Sequence, residues 1–382
     1  MNDLSHTATS TRRLNALLIG LFTAMLALPM LDTFCHLDPT KPRNENRAMA
    51  VLPQPPSDRH GLQTYVGGLE NYFNDHFGFR KCLVQWNNKF RASLFKDKGT
   101  RDVLIGKNGW LFYTMGDSID HYSGLLQFTP EQLHDWQVLL EKRRDWFARR
   151  GIAYLFVVTP DKHTIYPEEL PDWAVKVHPQ TKLDQFVAYM HEHPTVPILD
   201  LRQVVRNAKE MRPTFLKTDS HWNFFGSFVA YQELMRTVAA QLPGLEPLSL
   251  TSFTPTNRLQ PGGDLARFLG VSLVESNFFS FDPKPGLPEF TTKLSPPDHP
   301  KDPKFTTNPQ AKGRVIVFHD SFAMGWIQFL GYHFNQVTYL WHYDLDAAWI
   351  EREKPGLVIN EMNERLLNIE DPKKLMDTEA LN

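Results

Sequence analysis

The sequence has few cysteines, no excess of charge of one sign and no visible internal repeat. Its two cysteines, Cys35 and Cys82, are too few for a disulfide framework or a thiolate metal cage. Lysine and arginine total 41 while aspartate and glutamate total 43, so the formal net charge is only −2. A chain with this balance has no general basic field to hold nucleic acid, which argues against a DNA-binding or RNA-binding role.

The composition is instead that of an ordinary folded protein. Of the 382 residues, 42% are hydrophobic and 22% are charged. This length is enough for a sizeable buried core and for more than one domain. Nothing in the sequence predicts a bound cofactor.

One long hydrophobic run stands near the N-terminus. Leu14 to Leu31 is almost entirely apolar and is long enough to span a bilayer. Arg12 and Arg13 precede the run and predict a cytoplasmic N-terminus. No convincing cleavage site follows, so we favour an uncleaved signal anchor, residues 1–31, over a cleaved signal peptide; a buried core helix is a third interpretation. With either signal the rest of the chain is exported, which predicts a periplasmic protein that the anchor holds at the inner membrane.

The rest of the chain divides into a linking segment and a main domain. Residues 32–99 begin as a spacer that contains Pro53-Gln54-Pro55-Pro56, and they continue with apolar positions at helical spacing from Leu62 to Phe95. Residues 100–375 form the predicted main domain. Within it, residues 283–309 are proline-rich and polar, which predicts a surface insertion.

The main domain alternates short apolar strands with helical segments. It begins with a predicted hairpin, in which Val103–Ile105 and Trp110–Tyr113 flank a Gly-Lys-Asn-Gly turn. Thr129 and Pro130 predict the start of a helix that runs to about Arg150. Strands separated by helices predict an α/β fold with a parallel sheet covered on both faces. The predicted strands are Ile152–Val158, Val196–Leu199, Val315–Phe318, Val337–Leu340 and Leu357–Ile359, and a further helix is predicted over Phe224–Leu242.

An Asp-x-His pair stands directly before that further helix. Asp219 and His221 lie two positions apart in Lys217-Thr218-Asp219-Ser220-His221-Trp222-Asn223. In extended or turn backbone such side chains project to the same side, so the carboxylate can orient the imidazole beside a nucleophile. A helix-capping aspartate beside a surface histidine is the plainer alternative. A metal pair is another, although no third ligand of matching spacing is evident.

Ser321 is the predicted nucleophile. It follows the strand Val315–Phe318 in the string His319-Asp320-Ser321-Phe322 and precedes an amphipathic stretch, Ala323–Tyr332. A serine between a buried strand and a helix is exposed at the carboxyl edge of the sheet, and its own amide lies near the positive end of the helix. Capping of the helix is the alternative role for an Asp-Ser pair.

A second serine competes with Ser321. Met115-Gly116-Asp117-Ser118 also follows an apolar strand and contains a literal Gly-Asp-Ser string. The residues after it contain Gly124 and lead into the new cap at Thr129, so we expect no helix to begin at Ser118. We therefore favour Ser321 as the nucleophile.

Together these residues resemble a known family. Asp219-x-His221 with Trp222, and Asp320-Ser321-Phe322 after a hydrophobic strand, are similar to the SGNH hydrolase-like domain of bacterial exopolysaccharide O-acetyltransferases, the alginate and cellulose acetylation proteins. The chain looks like their shorter membrane-anchored members. Further family-like strings in the same order are Glu45-Asn46-Arg47, Asn74-Asp75-His76-Phe77-Gly78-Phe79-Arg80, Gly109-Trp110-Leu111-Phe112-Tyr113, Pro160-Asp161-Lys162, Gly263-Asp264-Leu265 and Glu364-Arg365.

The resemblance implies a three-layer SGNH hydrolase-like sandwich with a circularly permuted order. Ordinary SGNH enzymes have the nucleophile first and the Asp-x-x-His motif last, whereas here Asp219 and His221 precede Ser321. The resemblance also implies an oxyanion hole formed by the Ser321 amide and Asn363. Three family glycines lack a counterpart: the one in the motif of Asn363, the one before Asp320, where His319 stands, and the oxyanion glycine expected after the strand Val337–Leu340.

The function implied by the resemblance is O-acetylation of an exopolysaccharide in the periplasm. Ser321 would carry the acetyl group, His221 would move the proton and Asp219 would orient the imidazole. The acetyl donor would be a membrane-bound O-acyltransferase partner, because acetyl-CoA is absent outside the cytoplasm, and neither a cofactor nor a metal is implied. The alternatives are a carbohydrate acetylesterase with the same triad and a non-catalytic scaffold of the acetylation complex. The chain ends soon after the predicted sheet, so we expect no appended carbohydrate-binding domain.

Overall fold

The computed structural model describes residues 15–16, 18–23, 27–28, 31–32, 50–55, 62–79, 99–100, 102–296 and 299–379. The chain divides into two compact units, Met1–Phe90 and Arg91–Asn382. In the first unit, helix α1 spans Leu62–His76 within the predicted helical lead-in. The remainder of that prediction, residues 80–95, lies outside the described residues.

The predicted membrane anchor also falls partly outside the described residues. Those of its residues that the structure describes are helical. In the described parts of the chain, no helix combines the length and the apolar character that a membrane crossing needs. Of the proline-rich spacer, only residues 50–55 are described. The anchor therefore stays a prediction.

The second unit is built on a seven-stranded central sheet with two separate two-stranded sheets. In chain order the described strands are β1 Val103–Ile105, β2 Leu111–Tyr113, β3 Ala153–Thr159, β4 Ile198–Asp200, β5 Phe253–Pro261, β6 Val274–Pro283, β7 Thr291–Lys293, β8 Lys304–Thr307, β9 Arg314–Phe318, β10 Gln336–Leu340 and β11 Leu357–Asn363. Along the central sheet the strands lie in the order β4-β3-β11-β9-β10-β8-β7, and the two-stranded sheets are β1-β2 and β5-β6.

The sheet is mixed, which corrects the prediction of a purely parallel one. The five predicted strands, β3, β4, β9, β10 and β11, do pair in parallel. However, β8 runs antiparallel to β10, and β7 antiparallel to β8. Both extra strands come from residues 283–309, so this segment is more than the predicted surface insertion. By pairing with β10, it gives hydrogen-bond partners to backbone groups that an edge strand would leave exposed.

Helices cover both faces of the sheet and form the outer layers. Successive residues of β3 alternate between two hydrophobic clusters, because side chains in a strand point to opposite faces in turn. Leu155 shares a cluster with Tyr231 of one helix, and Phe156 shares the other with Trp136 and Phe186 of two more. The described helices of this unit are α2 Ser118–Ser123, α3 Pro130–Ala148, α4 Lys162–Ile165, α5 Lys182–Glu192, α6 Arg202–Ala208, α7 Phe224–Gln241, α8 Asp264–Leu269, α9 Ile327–Leu330, α10 Ala347–Glu353 and α11 Pro372–Thr378.

Two local predictions are confirmed by the hydrogen bonds that define them. Helix α3 begins with a capping box, in which the Thr129 side chain accepts from the Gln132 N–H and the Gln132 side chain accepts from the Thr129 N–H. Strands β1 and β2 form the predicted antiparallel hairpin.

The expectation that no helix begins at Ser118 is wrong. Helix α2 starts there and occupies six residues. Gly124, which we took as a helix breaker, is the residue that ends it: its φ of 77° is left-handed, and its N–H caps the carbonyl of His121. A glycine at such a spacing ends a short helix rather than preventing one.

Candidate active site

Ser321 lies in the turn that follows β9. The carboxylate of Asp320 fixes this turn, because it accepts from the Phe322 N–H at 2.8 Å and from the Asn363 N–H at 2.8 Å. The second bond ties the turn to the end of β11. The predicted helix after Ser321 is instead a 3₁₀ helix, Phe322–Trp326, followed by the single turn α9.

Asp219 and His221 lie in the segment that leads into helix α7. The Asn223 side chain caps this helix by accepting from the Gly226 N–H at 2.9 Å. Trp222 joins the segment to the serine turn, since its indole N–H donates to the Phe322 carbonyl at 3.1 Å. The two motifs are therefore held together by backbone and aromatic contacts as well as by the reactive side chains.

The structure brings the three predicted triad side chains into one hydrogen-bonded line. His221 Nε2 lies 2.7 Å from Ser321 Oγ, and His221 Nδ1 lies 2.8 Å from Asp219 Oδ1. The side chains of His221 and Asp219 are 26% and 22% exposed, so the site can be reached from solvent. This geometry suits transfer of the serine proton to the imidazole. The catalytic role of the three residues stays a prediction.

The electrostatic surroundings favour the charged form of both His221 and Asp219. Burial lowers the pKa of His221, but the hydrogen bond and charge of Asp219 and the charge of Asp264 outweigh it, so the pKa is raised above its usual value. Burial raises the pKa of Asp219, but the hydrogen bonds and charge of His221 outweigh it, so this pKa is lowered. An imidazolium formed during a reaction would therefore be stabilised here.

Asp264 is a neighbour of His221 that we did not assign to the site from the sequence. Its Oδ2 lies 3.6 Å from His221 Nδ1, and its backbone N–H donates to Asp219 Oδ2 at 3.2 Å. The close approach depends on Gly263, because a Cβ there would come within 2.4 Å of the Asp219 Cβ. The sequence signal for Asp264 was the family-like string Gly263-Asp264-Leu265. Its separation from Asp219 along the chain does not predict that the two residues meet.

The same carboxylates raise the question of a metal. Oxygen or nitrogen atoms of Asp219, His221 and Asp264 all lie within 4.8 Å of one another. Asp264 therefore has the position of a third ligand, which the spacing of residues in the sequence did not reveal. However, the imidazole is hydrogen-bonded to Ser321, and Asp264 accepts from the Ser220 N–H and hydroxyl. We therefore interpret the cluster as a hydrogen-bond network around His221.

Asn363, the second predicted oxyanion donor, is fully buried at the end of β11. Its side-chain amide donates to the Thr159 carbonyl at 3.2 Å, and its side-chain oxygen accepts from the Arg365 N–H at 3.2 Å. In this structure the side chain joins the ends of β11 and β3. An oxyanion role for Asn363 stays a prediction.

Ser118, the competing serine, is bonded elsewhere. It is 2% exposed, and its hydroxyl donates to the Tyr113 carbonyl at 2.7 Å. The histidine of its own helix, His121, contacts Asn368 and Glu364. The bond from Ser118 to Tyr113 joins helix α2 to strand β2, which gives Ser118 a structural role.

A serine, a histidine and an aspartate that meet where the strands of a helix-covered sheet end are the arrangement expected of an SGNH hydrolase-like domain. The family model described as "SGNH hydrolase-like domain, acetyltransferase AlgX" matches residues 103–336, and the chain belongs to this family. The resemblance given by the sequence motifs is thereby confirmed. The match covers Asp219, His221, Asp264 and Ser321, and it ends before Asn363.

Two curated relatives and one solved structure illustrate the similarity. "Probable alginate O-acetylase AlgJ" of Pseudomonas syringae pv. tomato is 27% identical over 224 residues, which are 58% of this chain and 54% of the relative. The protein of the same description from Pseudomonas aeruginosa is 28% identical over 243 residues, 60% of this chain and 57% of the relative. The chain thus spans little more than half the length of these relatives. Bacillus cereus PatB1, solved with a sulfonyl adduct, shares the fold at a TM-score of 0.55 and 17% identity, over 72% of this chain and 98% of PatB1.

Proposed function

We propose that this protein is an O-acetyltransferase that modifies an exopolysaccharide through an acetyl-serine intermediate. The observation that carries the proposal is the continuous line of contacts from Ser321 Oγ through His221 to Asp219, at 2.7 and 2.8 Å. The family and the alginate O-acetylase relatives support acetyl transfer to a polysaccharide such as alginate.

The proposed reaction has two halves that use the same residues. His221 Nε2 takes the proton of Ser321 Oγ as that oxygen attacks the acetyl carbonyl; the donor oxygen then leaves with this proton, and acetyl-serine remains. In the second half a sugar hydroxyl gives its proton to His221 and attacks the acetyl group. The proton returns to Ser321 as the ester bond breaks. Asp219 holds Nδ1 protonated in the resting state and stabilises the imidazolium in both halves.

The negative oxygen of each tetrahedral intermediate needs hydrogen-bond donors. We assign this role to the backbone N–H of Ser321 and, as a second donor, to Asn363. One such donor contributes about 2.7–4 kcal/mol to transition-state stabilisation in other acyl-transfer enzymes. For Asn363 this would require its amide to exchange its bond to Thr159 for one to the substrate.

The proposal also includes the setting of the reaction. The acetyl donor would be a membrane-bound O-acyltransferase partner, and the acceptor would be the polysaccharide in the periplasm. The N-terminal hydrophobic run would hold the protein at the inner membrane beside that partner.

Acetyl transfer from an artificial acetyl ester to defined oligosaccharides tests the function. The full chain is incubated with the ester and with mannuronate or cello-oligosaccharides, acetylated products are measured by mass spectrometry, and hydrolysis is measured alongside. We expect acetylated oligosaccharide with wild-type protein and none with Ser321→Ala. Ester hydrolysis without transfer to any acceptor would instead identify an acetylesterase. Absence of both transfer and hydrolysis would favour the scaffold.

The anchor gives a separate prediction about localisation. Because Leu14 to Leu31 is long enough to span a bilayer and lacks a clear cleavage site, we expect the protein to stay with membranes after a high-salt wash. Immunoblotting of membrane and periplasmic fractions measures this. A soluble form whose N-terminus lies near Asp32 would contradict the anchor.

A further inference from the structure

The imidazole of His221 faces two carboxylates rather than one. Asp219 Oδ1 contacts Nδ1 at 2.8 Å, and Asp264 Oδ2 lies 3.6 Å from the same nitrogen. We propose that Asp264 is a positioning residue that shares with Asp219 the task of orienting His221 and stabilising its protonated form. This inference rests on the proposed function, because it assigns the role within the same serine and histidine mechanism.

Asp264 reaches the imidazole through Ser220. The Ser220 hydroxyl donates to Asp264 Oδ2 at 2.5 Å and lies 3.2 Å from His221 Nδ1. Asp264 Oδ1 also accepts from the Ser220 N–H at 2.7 Å. These two hydrogen bonds hold the Asp264 side chain, which is 5% exposed, in place beside the ring. Three oxygen atoms thus surround Nδ1: one each from Asp219, Ser220 and Asp264.

The backbone of Asp264 also contacts the carboxylate of Asp219. The backbone N–H of Asp264 donates to Asp219 Oδ2, the oxygen of Asp219 that does not contact the imidazole. A carboxylate whose second oxygen is held in this way cannot rotate freely about its own bond. Asp264 therefore positions His221 both through Ser220 and by fixing Asp219.

The other charged groups near this cluster set the balance of charge. Arg365 acts on His221 in the opposite direction to the carboxylates and lowers its pKa. Burial lowers the pKa of Lys162 more than the charges of Asp219, Asp264 and Glu275 raise it, so the resulting pKa is about 8. Its ammonium group donates to the carbonyls of Leu111 and Lys217 rather than to either aspartate. Lys162 therefore offsets the carboxylate charges through space and leaves their oxygens free to act on His221 and Ser220.

Asp264→Asn is the first test, because it removes the charge and keeps the shape of the side chain. We expect the pKa of His221 to fall by about one unit and kcat on the artificial acetyl ester to fall about tenfold with KM unchanged. NMR titration of the His221 imidazole in the full chain gives the pKa, and the acidic limb of the kcat/KM profile gives it again. Asp264→Glu, which keeps the charge, is expected to retain a higher His221 pKa than Asp264→Asn.

Glu275→Gln is the matched control. Glu275 is also a buried carboxylate that accepts a backbone N–H of the same segment, that of Thr218 at 2.7 Å. It does not contact His221, so we expect its loss to leave the His221 pKa and the acidic limb unchanged. An equal fall of the His221 pKa in Glu275→Gln and in Asp264→Asn would overturn the inference, since it would show a general effect of removing a buried charge.

The combination with Asp219 tests whether the two carboxylates share one task. We expect Asp219→Asn to reduce kcat more in the Asp264→Asn background than in the wild type, because each carboxylate then lacks its substitute. Losses that simply multiply would overturn the shared role. If Asp264→Asn does not fold, Ser220→Ala replaces it: a kcat within about twofold of wild type would then overturn the inference, and a larger loss would support it.

The outcomes separate this inference from the proposed function. If the wild type neither transfers nor hydrolyses acetyl groups, the proposed function fails, and the NMR titration alone still decides whether Asp264 acts on His221. If acetyl chemistry depends on Ser321 and yet neither pKa nor kcat responds to Asp264→Asn, the inference fails and the proposed function stands.

Discussion

Ser321→Ala is expected to reduce acetyl-ester turnover by a factor on the order of 10⁴ to 10⁶ and to abolish covalent labelling by a serine-directed reagent. The reason is that the acetyl group can no longer bond to Oγ, which lies 2.7 Å from its base. His221→Ala should be nearly as damaging, because members of a triad act as a unit and their losses do not add. Asp219→Ala should retain more activity, since it orients the imidazole and does not exchange the proton.

Ser118→Ala is the control for this series. Among the described residues its hydroxyl bonds only to the Tyr113 carbonyl, so we expect a stability loss of about 1 kcal/mol and activity close to that of the wild type. Thermal unfolding of each variant checks that the protein remains folded. Inactivation by Ser118→Ala with an active Ser321→Ala would refute the assignment of the nucleophile. Full activity in all variants would show that the turnover does not use this triad.

Arg143→Met is expected to cost about 3–5 kcal/mol in the free energy of unfolding, because it leaves a buried carboxylate without its partner. Arg143 and Glu379 are both fully buried and form a two-pronged ion pair. The same guanidinium donates to Asn360 at 2.6 Å and to the Tyr343 carbonyl at 3.0 Å. The pair therefore connects helix α3, strand β11 and the residues after helix α11.

Arg144→Met, one residue along the same helix, is the matched control. Arg144 pairs with Asp145 and donates to the Thr195 carbonyl at 2.6 Å, both in exposed surroundings, so its loss should cost about 1 kcal/mol. Urea unfolding of the three proteins measures the difference. Adding Glu379→Gln to Arg143→Met should restore part of the stability, since it removes the unpaired charge. A loss as small for Arg143→Met as for Arg144→Met would contradict the prediction.

The sequence by itself determined the elements whose signals are local. The capping box of α3 needs Thr129 and Gln132 three positions apart, and the apolar run of β3 needs burial on both faces, so each pattern predicts its own structure. The candidate site was also predictable from the sequence. Ser321 follows a buried parallel strand, and such strands end at one edge of the sheet, although Ser321 and His221 are 100 positions apart.

Tertiary structure alone decided the features that depend on where distant segments cross. Asp264 contacts Ser220, 44 positions away in the sequence, and Arg143 contacts Glu379, 236 positions away. No local sequence pattern predicts either contact. The same is true of the short strands β7 and β8, because β8 joins the sheet by pairing with β10, and β7 joins it by pairing with β8. The spacing of hydrophobic residues and the capping residues reflect contacts between positions that are close in the sequence. Contacts such as these arise only when the packed sheet brings remote backbone segments within hydrogen-bonding distance.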